Sequence, residues 1–551
     1  MRKKLPSTVD FYAFIPACLF ALFTVVGYAF QTDNSFAPLY RTTPNIMLAI
    51  LSGIILTLGF YFVLKNLFCW FDAKRFASNS EPPSMREMLK RYFLFYSLVI
   101  FICWLPWIIV HYPGIMRDDS IRQMFQLYSI EPYSNGNPLL DTGIFGLFWH
   151  LGDALGNRAL GLYIYGFTQA LCTAASFAFM LCYMRKIQIP SVIIIISLGA
   201  ISLINIFPLA AMSMSKDSLN GWIYIVFFVL FVELCRSKGE ILKQRNFIVA
   251  VSVVTILAIS TKRTTLYVVA LAFGALILFT DAYRKRSFTV LASVILIAVL
   301  FSSIFLPAIM KNNAEPEKET SSISTAFFLI PMQQIGGLLA SGQEILPEER
   351  KNLEQLIDSE TAARVYNPQR ADEIISTTKD EATEEDVNVY LSTWAKLGLQ
   401  YPGIYMTALV NQLYGWFCPS WEIGFGKDLS LDVFDKGHMQ LWGYYFPGGT
   451  EAAQSFLAPL DTDIDSFDTA QWLLGKWANV QDKIPLITSF GFWCAWLPLV
   501  GFAYSLRTRQ RQALVAYTAW AALLLSCLIG PMVLYWYAIP LFYTAPLAFS
   551  L

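Results

Sequence analysis

Long apolar runs recur along most of this chain, and they limit the class of fold that it can adopt. A helix that crosses a bilayer needs about 17 to 25 predominantly apolar residues, and runs of this length occur repeatedly here. Of the 551 residues, 56% are hydrophobic and only 15% are charged, whereas soluble domains have about 25% charged residues. The sequence therefore predicts an all-α polytopic membrane protein.

The runs predict about twelve transmembrane helices. They lie near residues 11–30, 46–66, 92–110, 159–184, 191–211, 219–235, 246–262, 265–281, 287–307, 484–505, 513–530 and 535–551. A long polar stretch separates the ninth run from the tenth. The chain is thus divided into an N-terminal transmembrane region (1–307), a mainly helical insertion outside the membrane (308–483) and C-terminal transmembrane helices (484–551).

Loop charges predict the orientation of the chain. If the N-terminus is cytoplasmic, every predicted inner loop is basic, as the positive-inside rule requires. The inner-loop cations are Lys65, Lys74, Arg75, Arg86, Lys90, Arg91, Arg185, Lys186, Arg236, Lys238, Lys243, Arg245, Arg284, Lys285, Arg286, Arg507, Arg509 and Arg511. The 308–483 insertion then lies on the extracytoplasmic side of a cell membrane.

An outer loop, residues 111–158, follows the third predicted span and contains a concentration of ionisable side chains. Asp118 and Asp119 are adjacent carboxylates, with Arg117 and Arg122 beside them. Polar material of this kind at a helix end is a candidate site. A solvated loop whose charges face water explains these residues equally well when they are considered alone.

Two further outer loops break the positive-inside pattern. Lys216 and Asp217 follow the fifth predicted span, and Lys262 and Arg263 separate the seventh from the eighth. Cations at outer helix ends can bind an anion, and a lipid phosphate is the natural candidate at a membrane surface. Alternatively, each pair caps its helices or extends to water. Because three charged pairs fall on one face, the sequence favours a shared site.

Such a site could perform group transfer from a lipid-linked donor. A carboxylate, Asp118 or Asp119, could accept a proton from an attacking hydroxyl group. Cations could stabilise a departing phosphate, and the donor-phosphate candidates are Lys216, Lys262, Arg263 and Arg117. In a second interpretation, Asp118 and Asp119 together hold a divalent cation, which would be the cofactor.

Other polar and aromatic residues are candidates for substrate contacts. They are His111, Tyr112, Gln123, Asn137, Asp141, Asp217, Tyr535 and Tyr537. His111 or His150 could instead act as the general base of an outer-face acyltransferase. A lone histidine at a helix end is, however, more often a hydrogen-bonded interfacial residue, and tyrosines near a helix end are typical of the membrane interface.

The insertion has two parts with different composition. Residues 311–402 are acidic, and EERKNLEQLI and DEIISTTKDEATEEDVNVYLSTWAKLG are predicted to form amphipathic helices. Residues 401–480 are rich in Tyr, Trp, Gly and Pro, which suits binding of sugar rings or acyl chains and equally suits an interfacial belt. The 404–417 stretch could be a membrane-surface helix or an additional span.

Several short sequences occur in order between about residues 105 and 545. They are YPG, DD, NGNPLLDTG, SKDS, KRTTLY, PMQQIGG, YNPQRADE and LGLQYPGIY. This pattern resembles a poorly characterised bacterial family of multi-pass membrane proteins. More broadly, an acidic pair in the first large outer loop of such a chain resembles the GT-C superfamily of polyprenyl-phosphate-sugar-dependent membrane glycosyltransferases.

The resemblance implies a GT-C-like helical bundle in a bacterial plasma membrane. Asp118 or Asp119 would be the catalytic acidic residue, and Tyr535 and Tyr537 would border the donor pocket. The enzyme would transfer a sugar, with inversion, from a polyprenyl-phosphate donor to a glycan, lipid or protein of the cell envelope. In better-known members the acidic residue follows the first span, so this chain would have two additional N-terminal spans.

Competing functions are a transporter, a lipid flippase and an envelope scaffold. A transporter is expected to have ionisable residues near mid-membrane and related halves, and neither is clear in the sequence. The formal net charge is zero, which gives no indication of a nucleic-acid partner. Most of the nine cysteines lie in apolar runs, where they are typical packing residues.

Overall fold

A computed structural model of the chain is helical throughout almost all of its described length. The structure describes residues 9–75, 82–131, 137–280, 283–309, 328–379, 382–420, 436–460 and 468–551. Within these ranges the only strands are two of two residues each. The prediction of an all-α fold is therefore confirmed.

The N-terminal region contains fifteen α-helices and both strands. They are α1 (Phe11–Asp33), α2 (Ala37–Tyr40), α3 (Thr43–Arg75), α4 (Met85–Met88), α5 (Leu94–Val110), β1 (Ile115–Met116), α6 (Asp118–Leu127), α7 (Leu139–Ala154), α8 (Arg158–Lys186), α9 (Ser191–Leu203), α10 (Ile206–Met212), β2 (Ser213–Met214), α11 (Lys216–Arg236), α12 (Arg245–Thr261), α13 (Thr264–Phe279), α14 (Arg284–Leu300) and α15 (Leu306–Ile309). A π-helical turn, Leu89–Phe93, makes α4 and α5 continuous, and another, Phe301–Phe305, does so for α14 and α15.

The remainder of the chain contains the insertion and the last helices. The described helices of the insertion are α16 (Leu329–Ala340), α17 (Pro347–Leu353), α18 (Ser359–Val365), α19 (Asp372–Ile375), α20 (Glu384–Gln400), α21 (Pro402–Leu413), α22 (Lys436–Tyr445), α23 (Gly449–Leu457) and α24 (Asp468–Asp482). They are followed by α25 (Pro485–Thr488), α26 (Leu497–Arg507), α27 (Arg511–Leu528) and α28 (Tyr535–Ser550).

Seven helices in the described part of the chain are long and apolar enough to cross a membrane. They are Phe11–Asp33, Thr43–Lys74, Met85–Val110, Arg158–Lys186, Lys216–Arg236, Arg284–Ile309 and Arg511–Leu528. The pair α9 and α10, bent by 60°, raises the number to eight if it forms one span. These helices support the prediction of a membrane protein. Four of the twelve predicted spans form helices that are shorter or interrupted: α12, α13, the α25–α26 segment and α28.

The helices differ in how much of their surface the protein covers. No residue in the most apolar part of α3 is buried, whereas 78% of the corresponding part of α11 is. Helix α28 packs closely on α11, because Gly221 lets Ile539 approach its backbone: a Cβ at this glycine would lie 2.5 Å from Ile539 Cγ2. Small residues allow such close approach between membrane helices. The centre of the bundle is thus formed by α11 and α28.

The two stretches of the insertion that were predicted to be amphipathic helices form shorter helices in the structure. The first ends at Leu353, and the second is divided into α19 and α20. The segment between them bonds elsewhere, since the Thr377 carbonyl accepts from the Asp358 amide at 3.0 Å. Helix α20 begins at Glu384. The preceding residue, Thr383, is its N-cap and forms a capping box with Asp386.

The 404–417 stretch forms most of α21 and a following 3₁₀ turn. With twelve residues, α21 is shorter than the roughly 20 residues of a typical span. Its buried Asn411 and Gln412 donate to the carbonyls of Asn34 (2.7 Å) and Gly530 (3.0 Å). This helix therefore packs against other parts of the protein through polar contacts.

Candidate functional site

Two short strands bring the first turns of α6 and α11 together. β1 pairs in parallel with β2, with Ile115 opposite Ser213. Helices α6 and α11 each begin two residues after their strand. The Ser120 hydroxyl also donates to the Met214 carbonyl. Two loops that lie nearly 100 residues apart in the sequence therefore become neighbours.

The pairing of the two strands brings Asp119 and Lys216 together as an ion pair. Asp119 Oδ2 lies 2.7 Å from Lys216 Nζ, and the Asp119 side chain is 50% exposed. Lys216 Nζ also donates to Asn137 Oδ1 at 3.3 Å. Asp118 is the first residue of α6, but its side chain lies outside the described residues.

A second ion pair lies beside the first. Asp217, the next residue of α11, accepts from Lys262 Nζ at 2.6 Å, and its side chain is 3% exposed. Lys262 lies between α12 and α13, and the exposed Arg263 directly precedes α13. The predicted convergence of the Lys216 and Lys262 loops is thus what the structure shows.

The start of α28 completes the cluster with aromatic rings. The Arg117 guanidinium lies 4.7 Å from the Tyr535 ring centre and 5.0 Å from that of Trp536. Lys262 Nζ lies 5.8 Å from the centre of the Tyr537 ring. Cations over aromatic faces are stabilised by the ring quadrupole. We call Arg117, Asp119, Lys216, Asp217, Lys262, Tyr535 and Tyr537 the Asp119 cluster.

Several helix N-termini meet at the Asp119 cluster. Helices α6, α11, α13 and α28 all begin at or next to its residues. Unpaired amides and the aligned peptide dipoles give a helix N-terminus a partial positive charge. Together with the cationic side chains, these ends create a positive potential that suits an anion such as phosphate.

Asp141 lies in the first turn of α7, close to this cluster but fully buried. Neither carboxylate oxygen has a hydrogen-bond partner in the described part of the chain. Burial raises the pKa of Asp141 well above its usual value; Lys216 opposes this effect and Asp217 reinforces it. Asp141 is therefore poised to be a neutral carboxylic acid rather than a contact for substrate at the surface.

Gln123 is also buried, and its amide donates to the Thr142 hydroxyl at 3.0 Å. This bond joins α6 to α7. Of the predicted substrate-contact residues, Asn137 thus bonds Lys216 directly, whereas Gln123 and Asp141 are buried.

The predicted histidines and Tyr112 make other contacts. His111 Nδ1 lies 2.9 Å from the Trp107 carbonyl at the end of α5, and burial lowers the pKa of His111. The Tyr112 ring packs on Tyr163 with centres 5.2 Å apart. His150 Nδ1 is 3.9 Å from an Asp153 carboxylate oxygen. These observations agree with the interpretation of His111 as a hydrogen-bonded residue at a helix end.

A contact that the sequence did not predict ties the insertion to the start of α28. The Ala371 amide donates to the Pro531 carbonyl at 2.9 Å, and Arg370 forms a β-bridge with Met532. Gln333, in PMQQIGG, donates to the Asn367 carbonyl at 2.6 Å. The polar residues of YNPQRADE were the only sequence feature noted above that could have indicated this contact. Their partners are distant in sequence, so the contact could not be deduced.

A metal site is not evident in the described residues, where no group of three or more His, Cys, Asp or Glu side chains is placed to hold an ion. Because the Asp118 side chain falls outside them, a divalent cation held by Asp118 and Asp119 stays a prediction.

The fold and the cluster define an all-α membrane protein with paired charges at the N-terminal ends of several helices. The chain belongs to DUF6020, a family of unknown function, whose model matches residues 131–550. The matched range includes Lys216, Lys262 and Tyr535 and begins after Asp119. No curated protein and no solved structure matches the chain.

Proposed function

We propose that this protein is an integral membrane glycosyltransferase that uses a polyprenyl-phosphate-linked sugar donor. The acceptor is a glycan, lipid or protein of the cell envelope, and transfer occurs on the extracytoplasmic face. The observation that carries the proposal is the 2.7 Å contact between Asp119 and Lys216 among four helix N-termini. It combines a partly exposed carboxylate with a site of positive potential.

In the proposed step, Asp119 is the general base. The bond from the anomeric carbon to the donor phosphate oxygen breaks, and its electron pair leaves with the phosphate. The acceptor hydroxyl oxygen bonds to that carbon from the opposite side, which inverts its configuration. The hydroxyl proton passes to the Asp119 carboxylate. General-base catalysis of this kind contributes about 10²- to 10⁴-fold to a rate.

The cations have different roles in this proposal. Lys216 contacts the donor phosphate, because it is paired with the partly exposed Asp119 and can therefore be reached by an anion. Arg117 and Arg263 supply further positive charge. Lys262 is held by the buried Asp217, so it orients the helix ends and adds to the potential. A guanidinium that lies over aromatic rings, as Arg117 does, presents its N–H groups in a fixed plane, which suits phosphate.

Charges at the two ends of α11 support the proposed orientation. Lys216 lies at its start, and Glu233, near its end, pairs with Lys186. A helix of 21 residues is about 30 Å long, enough to cross a bilayer. Arg185, Lys186 and Arg236 thus lie at the end opposite the Asp119 cluster. By the positive-inside rule, these cations support a cytoplasmic position for that end and an extracytoplasmic position for the cluster.

The architecture that we propose is a GT-C-like bundle of about twelve membrane helices. Helices α12, α13 and α28 and the α25–α26 segment would be short spans added to the seven or eight long ones. The insertion would cover the outer face, since its Arg370–Ala371 segment is bound to residues directly before α28.

A transfer assay tests the proposal. Membranes that contain the protein are incubated with each of several radiolabelled polyprenyl-phosphate sugars, and label is followed into glycan, lipid and protein fractions. We expect transfer from at least one donor, and only in membranes that contain the protein. Right-side-out vesicles should be active with an impermeant acceptor, whereas inverted vesicles should not. Failure of every donor with folded protein would contradict the proposal.

Two observations favour a transporter as the second candidate. Proton-coupled transport needs a group that can be protonated, and burial raises the pKa of Asp141 beside the Asp119 cluster. Broken helices are common at transporter substrate sites, and α9 and α10 are bent by 60° at their junction. Proton uptake by proteoliposomes that Asp141→Asn abolishes would support transport over transfer.

A further inference from the structure

The proposed base and the proposed phosphate contact neutralise each other in this structure. Asp119 Oδ2 and Lys216 Nζ are 2.7 Å apart, a charge-assisted hydrogen bond. The lone pair of Asp119 Oδ2 that accepts this bond is not available to the proton of an acceptor hydroxyl group. In the absence of a donor, Lys216 therefore occupies the base.

The two ion pairs of the cluster differ in how readily an anion can open them. The Asp119 and Lys216 side chains are 50% and 20% exposed, whereas those of Asp217 and Lys262 are 3% and 14% exposed. Water can thus solvate Asp119 when the pair opens, while an incoming anion pairs with Lys216. Asp217 is too buried for water to solvate its charge in the same way, and separating a buried ion pair is costly. Only the first pair is suited to exchange.

Both partners retain stabilising contacts when the pair opens. Asp119 is in the first turn of α6, where the positive end of the helix dipole favours a negative charge. Lys216 Nζ keeps its bond to Asn137 Oδ1 and remains adjacent to Asp217. The opened state therefore leaves neither charge isolated.

We propose that the Asp119–Lys216 ion pair is a latch that an anionic phosphate opens. The phosphate takes Lys216 away from Asp119, and the freed carboxylate then accepts the proton of the acceptor hydroxyl. This inference rests on the proposed function and adds an order to it: the donor phosphate binds first, and only then is the base competent. Asp119 and the phosphate are competitors for one ammonium group.

Competition gives a test that does not depend on sugar transfer. The purified full-length protein in detergent is titrated calorimetrically with a short-chain prenyl monophosphate and, separately, with inorganic phosphate. Both titrations are made with a metal chelator and repeated with Mg²⁺. The variants are Asp119→Asn, Lys216→Gln and the double variant. Glu373→Gln is the matched control, because it removes one negative charge from a carboxylate that is 38% exposed.

The latch predicts that Asp119→Asn binds the prenyl monophosphate about 2- to 5-fold more tightly than wild type, since a partly exposed competitor is removed. Lys216→Gln should bind it roughly 10-fold more weakly or worse. In the Lys216→Gln background, Asp119→Asn should bring no gain. Glu373→Gln should stay within about twofold of wild type. A response to inorganic phosphate alone would show that the phosphate group suffices to open the latch.

Weaker binding by Asp119→Asn, or a gain no larger than that of Glu373→Gln, would overturn the latch. Weakening seen only with Mg²⁺ would do so as well, because Asp119 would then recruit phosphate through a metal. These failures are distinct from failure of the proposed function. A protein that shows the Asp119→Asn gain but transfers no sugar contradicts the function alone, whereas active transfer without the gain contradicts the latch alone.

Discussion

Asp217 and Lys262 form a buried ion pair of 2.6 Å that fastens the first turn of α11 to the α12–α13 junction. Lys216 and Asp217 are consecutive, so this contact also fixes the position of Lys216. The first turn of α11 thus contributes to two ion pairs. The Asp217–Lys262 pair is shielded from solvent, whereas the Asp119–Lys216 pair is partly exposed.

Asp217→Asn should destabilise the protein strongly, because it leaves the Lys262 charge without its partner. Removing one member of a buried pair costs about 3 to 5 kcal/mol. The double variant Asp217→Asn, Lys262→Gln should recover most of this loss, since no charge then remains. The free energy of unfolding in mixed micelles measures both effects. A single variant as stable as wild type would show that the pair is not effectively buried.

Asp141 gives the protein a predictable pH dependence. Its native pKa is raised by burial, so between the unfolded value, about 3.8, and the native value the folded state binds more protons than the unfolded state. Stability from this group is complete below the unfolded pKa and is lost as pH rises through the native pKa. Asp141→Asn mimics the neutral acid and removes this loss.

We therefore expect the melting temperature of Asp141→Asn, relative to wild type, to increase from pH 5 towards pH 8. Infrared spectroscopy of wild type should also show the carbonyl band of a buried protonated carboxylic acid, and this band should be absent from the variant. A difference in melting temperature that is constant with pH, together with no such band, would mean that Asp141 is ionised.

Arg117→Lys should reduce transfer although it preserves the charge. The guanidinium lies over Tyr535 and Trp536, and a contact of this kind contributes about 0.5 to 2 kcal/mol. The expected loss in kcat/KM for the donor is therefore about 2- to 30-fold. Arg122→Lys, on the adjoining helix α6, is the control, because Arg122 pairs with Glu131. Equal effects of the two changes would remove Arg117 from the site.

Gly221→Ala should destabilise the α11–α28 contact. The added Cβ would lie 2.5 Å from Ile539 Cγ2, and overpacking of a well-packed core costs about 1 to 3 kcal/mol. Gly53→Ala on α3 is the matched control, because nothing lies within 4 Å of its added Cβ. The second variant should be neutral or slightly more stable, as judged by thermal unfolding. Ile539→Ala removes Cγ2, so its cost and that of Gly221→Ala should sum to more than the cost of the double variant, and strictly additive costs would place the strain elsewhere.

The sequence predicted the helices and the grouping of charges for physical reasons that are local. Apolar length identifies membrane helices, and the exceptions to the positive-inside pattern led to Asp119, Lys216 and Lys262. It could not assign partners, because which lysine meets which carboxylate depends on the β1–β2 pairing, and two-residue strands have no periodicity to detect. The burial of Asp141 was likewise hidden, since a polar residue after a turn is usually solvated.

The bend between α9 and α10 is a second feature that could not be predicted from local sequence. Residues 191–211 are one apolar run in the sequence, but the structure interrupts the helix near Ile204. The Leu203 carbonyl there accepts from Trp477 Nε1 at 2.8 Å, and the Asn205 amide donates to Gln481 Oε1 at 3.0 Å. Groups freed by the break are thus bonded by α24, which is far along the chain. Local sequence could not reveal this compensation.

The rate of sugar transfer by Asp119→Asn decides whether Asp119 is the base. With a radiolabelled polyprenyl-phosphate sugar and equal amounts of folded protein, we expect a rate at least about 100-fold below wild type, with binding of a prenyl monophosphate retained. Glu373→Gln, measured alongside, should keep most of the activity. Transfer by Asp119→Asn at the wild-type rate would contradict the assignment of Asp119 as the base.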